Sequence, residues 1–154
     1  MHDPITGLVK LASALSADEI LLIAPPEHTL SQRLMAAGGP KPTDAGTLTT
    51  HPPDKRYRLA LVAGYLEILP QGNCEHLISS LRDLYAETLY CLTDPAIWPA
   101  IKMAALGLRP VGIFPKDTGR LALYHFDLYD YKRTPDWLNA KYWAHPERWG
   151  KTRW

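Results

Sequence analysis

The chain has 154 residues, 46% of them hydrophobic and 21% charged, with a formal net charge of +1, a length that suits one domain burying roughly two thirds of its unfolded surface. No apolar run approaches the roughly 20 residues of a membrane span, and the first residues lack a basic segment followed by an apolar signal core. The expectation is a cytoplasmic protein whose two cysteines, Cys74 and Cys91, are reduced, partly buried thiols rather than a disulfide or a paired zinc motif.

Asp3-Pro4 sets an N-cap acid before a proline, and Ile5, Leu8, Leu11, Ala12 and Leu15 recur at helical spacing, predicting a helix from Pro4 to about Leu15. The run from Glu19 to Ala24 is continuously apolar after its first residue, the pattern of a central parallel strand covered on both faces. A second helix, Thr29 to Ala37, carries Leu30, Leu34 and Met35 on one side and stops at Gly38-Gly39. Between Pro40 and Asp54 the composition turns to Pro, Gly and Thr, and only Gly46 to Thr50 reads as a short strand.

Arg58 to Ala63 is the next buried strand, ended by Gly64. Asn73 then caps a helix with Leu77, Ile78, Leu81, Leu84 and Tyr85 on one face, and Thr88 to Leu92 forms another strand. Asp94-Pro95 repeats the helix-start signal, with Ile97, Trp98, Ile101, Ala104 and Ala105 as the buried stripe, Pro99 as a kink and Gly107 as the stop. Val111 to Phe114 and Leu121 to Asp127 are joined by so short a link that they must form an antiparallel hairpin. This order predicts a three-layer α/β fold, its sheet mostly parallel with an antiparallel C-terminal strand.

In such sheets ligands bind beyond the carboxyl ends of the strands, where neighbouring connections diverge. That rule nominates Pro25, Glu27 and His28 after the first strand, His51 after the weak second one, and Gly64, Tyr65 and Glu67 after the next. Glu27 and His28 offer an acid and a base beside a helix N-terminus; the preferred, plainer reading makes Glu27 a complement to the helix dipole and His28 a surface loop residue. Glu67 faces either the cleft or solvent. His125 and Asp127 share a strand face, the geometry of a proton relay or half a metal site, but strand-end hydrogen bonding is the simpler account. With no nucleophile elbow, Walker loop, HExxH or paired CxxC motif, no catalytic residue and no metal are assigned.

Three local stretches resemble class I S-adenosylmethionine-dependent methyltransferases. Arg56 to Pro70, RYRLALVAGYLEILP, is similar to that family's fourth strand and the Leu-Glu-His-Leu segment after it, with Ile68 where His is common. Asn73 to Asp94 is similar to the following helix and fifth strand, and Leu106-Gly107-Leu108 through the hairpin to the turn and last two strands. The resemblance covers about residues 19 to 127 and implies a reduced Rossmann-like fold, lacking the third strand, from a small bacterial family. The departures fall on the cofactor site. The family's first strand ends in an acid and a Gly-x-Gly turn, whereas this chain has Ala24-Pro25-Pro26-Glu27 there and no further glycine until Gly38. For the ribose-binding acid at the end of the second strand, the nearest candidates are Thr50, His51 and Asp54. The expectation is a methyltransferase-like domain without the usual S-adenosylmethionine site, acting through a partner or an unknown small ligand. An active methyltransferase with an atypical loop is the alternative.

Residues 1 to 131 are read as the domain and 132 to 154 as an extension of different character. The extension holds six Lys/Arg against Asp136 and Glu147, net +4, which leaves the rest of the chain at −3. Trp137, Tyr142, Trp143, Trp149 and Trp154 are interleaved with those cations, a mixture suited to packing on the domain, to self-association, to a protein partner or to stacking on nucleic acid. The tryptophan spacing and Pro146 rule out one continuous amphipathic membrane helix.

Overall fold

A computed structural model describes residues 4–116 and 119–127 of the chain. The expected extension and its aromatic residues lie outside that range, as do Met1 to Asp3. Helix α1 (Pro4–Ala12) buries Leu8 and Ala12 but stops short of Leu15. Its last turn tightens into i→i−3 bonds at Ala14 and Leu15, and the Ser13 hydroxyl donates back to the Lys10 carbonyl at 2.6 Å. Strand β1 (Ile20–Ile23) is buried at every residue. In α2 (Thr29–Ala36) Leu30 and Leu34 are buried, while Met35 is 42% exposed. One step past Leu34 turns a side chain about 100° off the buried stripe.

The Pro40 to Asp54 stretch corrects the expectation. Its strand is β2 (Pro42–Thr43), and the residues read as extended form helix α3 (Ala45–Thr50) instead. The Asp44 carboxylate accepts from Gly46 N at 2.8 Å, and Ala45 and Leu48 bury one face. A cap plus burial outweighs the weak extended preference of threonine.

Strand β3 (Tyr57–Ala63) follows as predicted. Helix α4 (Gln71–Ser80) starts before Asn73, with Pro70 at its cap and a first bond from Cys74 N to the Pro70 carbonyl. It runs into a π-helical turn, Leu81–Tyr85. The wider i→i+5 winding carries Leu84 off the buried face, so that it is 57% exposed. After β4 (Ala86–Thr93), Asp94 opens only a single turn, whose Ile97 and Trp98 amides bond to its carbonyl. The helix proper, α5 (Ala100–Ala105), begins after Pro99. That restart shifts the helical phase: Met103 is buried, whereas Ile101, expected inside, is 79% exposed. Ala104 and Ala105 are exposed as well.

β5 (Arg109–Lys116) and β6 (Gly119–Asp127) pair antiparallel. The sheet order is β2-β1-β3-β4-β6-β5, with β2, β1, β3 and β4 parallel. β6 inserts between β4 and β5 and is antiparallel to both. The arrangement is α/β and Rossmann-like. Alternate strand residues feed two cores. Ile20, Leu22, Leu59 and Leu61 pack with Leu8 of α1 and Leu30 of α2, while Leu21, Ile23, Ala60 and Val62 pack with Leu48 of α3, Ile78 of α4 and Met103 of α5. Both cysteines are free and buried. Neither sheet edge invites another strand: β2 has two residues, and β5 carries Pro110 and Pro115 with an irregularity at Pro110/Gly112.

Candidate functional site

β1 continues through α2 to β2 on one side, whereas β3 lies on the other, so the connections part between the carboxyl ends of β1 and β3. The residues that meet there are Pro25, His28 and Gly64. Gly64 has φ +84°, and a Cβ added to it would lie 2.7 Å from Pro25 Cδ and 3.1 Å from His28 Cδ2. The two rings therefore rest on the bare backbone of Gly64. His28 is the N-cap of α2: its Nδ1 accepts from Leu30 N at 3.1 Å. Pro25 is held in turn, since its carbonyl accepts from His28 N at 3.0 Å and from the buried Ser31 hydroxyl at 2.8 Å. His28 is thus a capping residue, more specific than either sequence reading of it, and Glu27 beside it is exposed.

Tyr65 and Glu67 point in other directions. The Tyr65 hydroxyl donates to Asp44 Oδ1 at 3.1 Å, which ties the end of β3 to the end of β2. Burial, and then the Asp44 carboxylate, raise the Tyr65 pKa, so the phenol stays protonated and keeps donating. Glu67 spans to β4. Its Oε2 accepts from the fully buried Thr93 hydroxyl and from Asp94 N, the latter at 3.1 Å. His51 caps the far end of α3, exposed and 3.1 Å from the Thr50 hydroxyl. It does not join the others.

Asp44 and Thr93 are not among the sequence candidates and Asp94 enters there only as a helix start, although Thr93 ends β4 and the two acids directly follow β2 and β4. Asp44 carried a signal, an N-cap acid directly ahead of Ala45-Gly46. The extended preference of the threonines it precedes masks that signal.

Residues 2–154 match the profile of a family of unknown function, DUF6231. The chain belongs to DUF6231. No curated protein matches it. In this DUF6231 chain the strand-end carboxylates of Asp44, Glu67 and Asp94 are engaged within the molecule, Asp44 with Gly46 N and the Tyr65 hydroxyl, Glu67 with Thr93 and Asp94 N, and Asp94 with Ala96 N of its own turn. Among the described residues no group of three or more His, Cys, Asp or Glu is placed to hold a metal ion, and no helix is long and apolar enough to cross a membrane.

His125 and Asp127 lie at the opposite end of the sheet, around a small cavity of about 90 Å³ also lined by Arg109. The imidazole packs against the Tyr90 ring at a tilt of 35°, with centroids 4.7 Å apart. Burial lowers the His125 pKa; Asp127 opposes the shift and Arg109 adds to it. Below the ordinary histidine value of about 6.5 the unfolded chain binds a proton that the folded chain resists, so stability is full above that value and falls as the pH drops below it. Thermal unfolding between about pH 7.5 and pH 5 should show a smaller acid loss of Tm in His125→Phe than in the parent. Equal pH slopes in the two proteins would remove His125 from the linkage.

Proposed function

We propose that this chain is a methyltransferase-like domain that lacks the usual S-adenosylmethionine site and acts by binding a partner or another small ligand. The observation that carries this reading is the contact of Pro25 and His28 with Gly64. In the fold the sequence resembles, the glycine turn after the first strand leaves backbone bare for the cofactor. Here that turn is replaced by Pro25-Pro26, and the Pro25 ring lies against Gly64. The support for the fold itself is the succession of parallel strands closing on an antiparallel hairpin, with no strand between β2 and β3 where a third would stand.

One observation favours the alternative, an active methyltransferase with an atypical loop. Asp44 directly follows β2, the place where the resemblance puts the ribose-binding acid. Its two oxygens already accept from Gly46 N and the Tyr65 hydroxyl, so a ribose would have to displace or share them.

Calorimetric titration with S-adenosylmethionine and with S-adenosylhomocysteine separates the two readings. No heat of binding is expected up to about 1 mM ligand, and a Kd of about 10 μM or tighter for either compound would reject the first reading in favour of the second.

A further inference from the structure

On the opposite face from α1 and α2, a half-open groove of about 430 Å³ runs between α3 and α4. Leu48, Leu69, Leu77, Leu84 and Tyr85 supply most of its apolar wall, and no described Lys, Arg, Asp or Glu lines it. Leu84, swung outward by the π-helical turn, stands 57% exposed at one end. An apolar surface of this shape can bury one or two aromatic side chains without stranding a charge.

We propose that the groove is the docking site of this chain's own aromatic and basic segment, residues 132–154. The first reason is where the described chain ends. Asp127 pairs with Thr88 on β4, close to Ala86, into which Leu84 and Tyr85 lead directly. Phe126 packs against the same core cluster as Leu77 and Tyr85. The last described residue of β6 thus lies one strand away from the start of β4, into which the Leu84 end of the groove leads.

Reach is sufficient. The ten residues from 128 to Trp137 span up to about 35 Å when extended, against about 15 Å for the length of α4. Composition fits too, since Trp137, Tyr142 and Trp143 supply aromatic side chains of the kind an apolar groove buries. Charge works in the same direction: the segment is net +4 and the remainder of the chain −3, so the long-range field draws the two together. The inference does not depend on the methyltransferase reading, because the groove is separate from the Gly64 crevice.

Limited trypsin digestion of the full chain tests it, read as the cleavage rates at Lys141 and Arg148. Docking predicts slow cleavage in the parent and an increase of about tenfold in Leu84→Asp, which puts a charge in the groove at an exposed position that the fold tolerates. Thr49→Arg on the opposite wall should act alike, and Ile101→Asp, exposed on α5 outside the groove, should change nothing. Rapid cleavage in the parent, or the same rate in the parent and both groove variants, would overturn the proposal. Protection that disappears on dilution would overturn it as well, since the occupant would then be a second copy of the chain.

Discussion

Replacing Gly64 by alanine lowers the unfolding free energy by about 2–5 kcal/mol, the left-handed backbone and the steric conflict each contributing. Gly64 holds φ +84°, and the new Cβ would arrive 2.7 Å from Pro25 Cδ. Neither obstacle yields easily. The proline ring cannot rotate away, and its residue is fixed through the Ser31 and His28 bonds to its carbonyl. Gly38 supplies the control, because its φ is +77° but nothing lies within 4 Å of its added Cβ. Gly38→Ala should cost only the backbone part, about 1–2 kcal/mol. Denaturant unfolding followed by circular dichroism measures both, and the Gly64 variant should also melt about 5–15 °C below the parent. Equal losses at the two positions would mean that the rings do not rest on Gly64, and the crevice would again be open to a ligand.

That comparison bears on what glycine means at the end of β3. In a nucleotide-binding fold a strand-end glycine leaves room for a ligand; here the room is taken by a proline and a capping histidine from the neighbouring loop. The prolines at 25 and 26 could be read in the sequence as a departure, because proline offers no N–H to an anion. The contact of Pro25 with Gly64 could not be read. It depends on a pairing of β1 with β3 that sets Ile23 beside Val62, and on His28 turning back to cap α2.

Long apolar periods were legible for the same reason that they are robust. The runs at Ile20–Ile23 and Leu59–Ala63 have no alternative to a strand buried on both faces, and the hairpin follows from the shortness of its link. Sequence pattern and structure part where one local feature overrides a period. Asp44 turned the threonine run into a helix, the π-helical turn moved Leu84 outside, and Pro99 reset the phase of α5 so that Met103 replaced Ile101 in the core. Each is a short-range effect whose sign depends on what the rest of the chain packs against it. Glu67 and Tyr65 were legible as strand-end residues but not as bonds, for their partners come from distant positions: Glu67 with Thr93, and Tyr65 with Asp44.

Trp98→Ala should be the most costly single replacement at the carboxyl end of the sheet, at about 3–5 kcal/mol. The indole is buried, and its Nε1–H donates to the Leu66 carbonyl at 2.8 Å. The Trp98 carbonyl accepts from the buried Tyr124 hydroxyl at 3.4 Å, so the residue joins the loop after β3, the turn after β4 and strand β6. Glu67, next to Leu66, makes the parallel polar link to Thr93 and Asp94. Trp98→Phe keeps most of the apolar surface and loses only the indole bond, which predicts a smaller cost of about 1–2 kcal/mol. The measurement is the urea midpoint at unchanged m-value. If Phe costs as much as Ala, the hydrogen bond to Leu66 rather than packing holds the loop. If both fall in the predicted order, segment 64–70 is fixed from inside the core, and the closed contact at Gly64 rests on a rigid support rather than on a loop free to swing aside for a ligand.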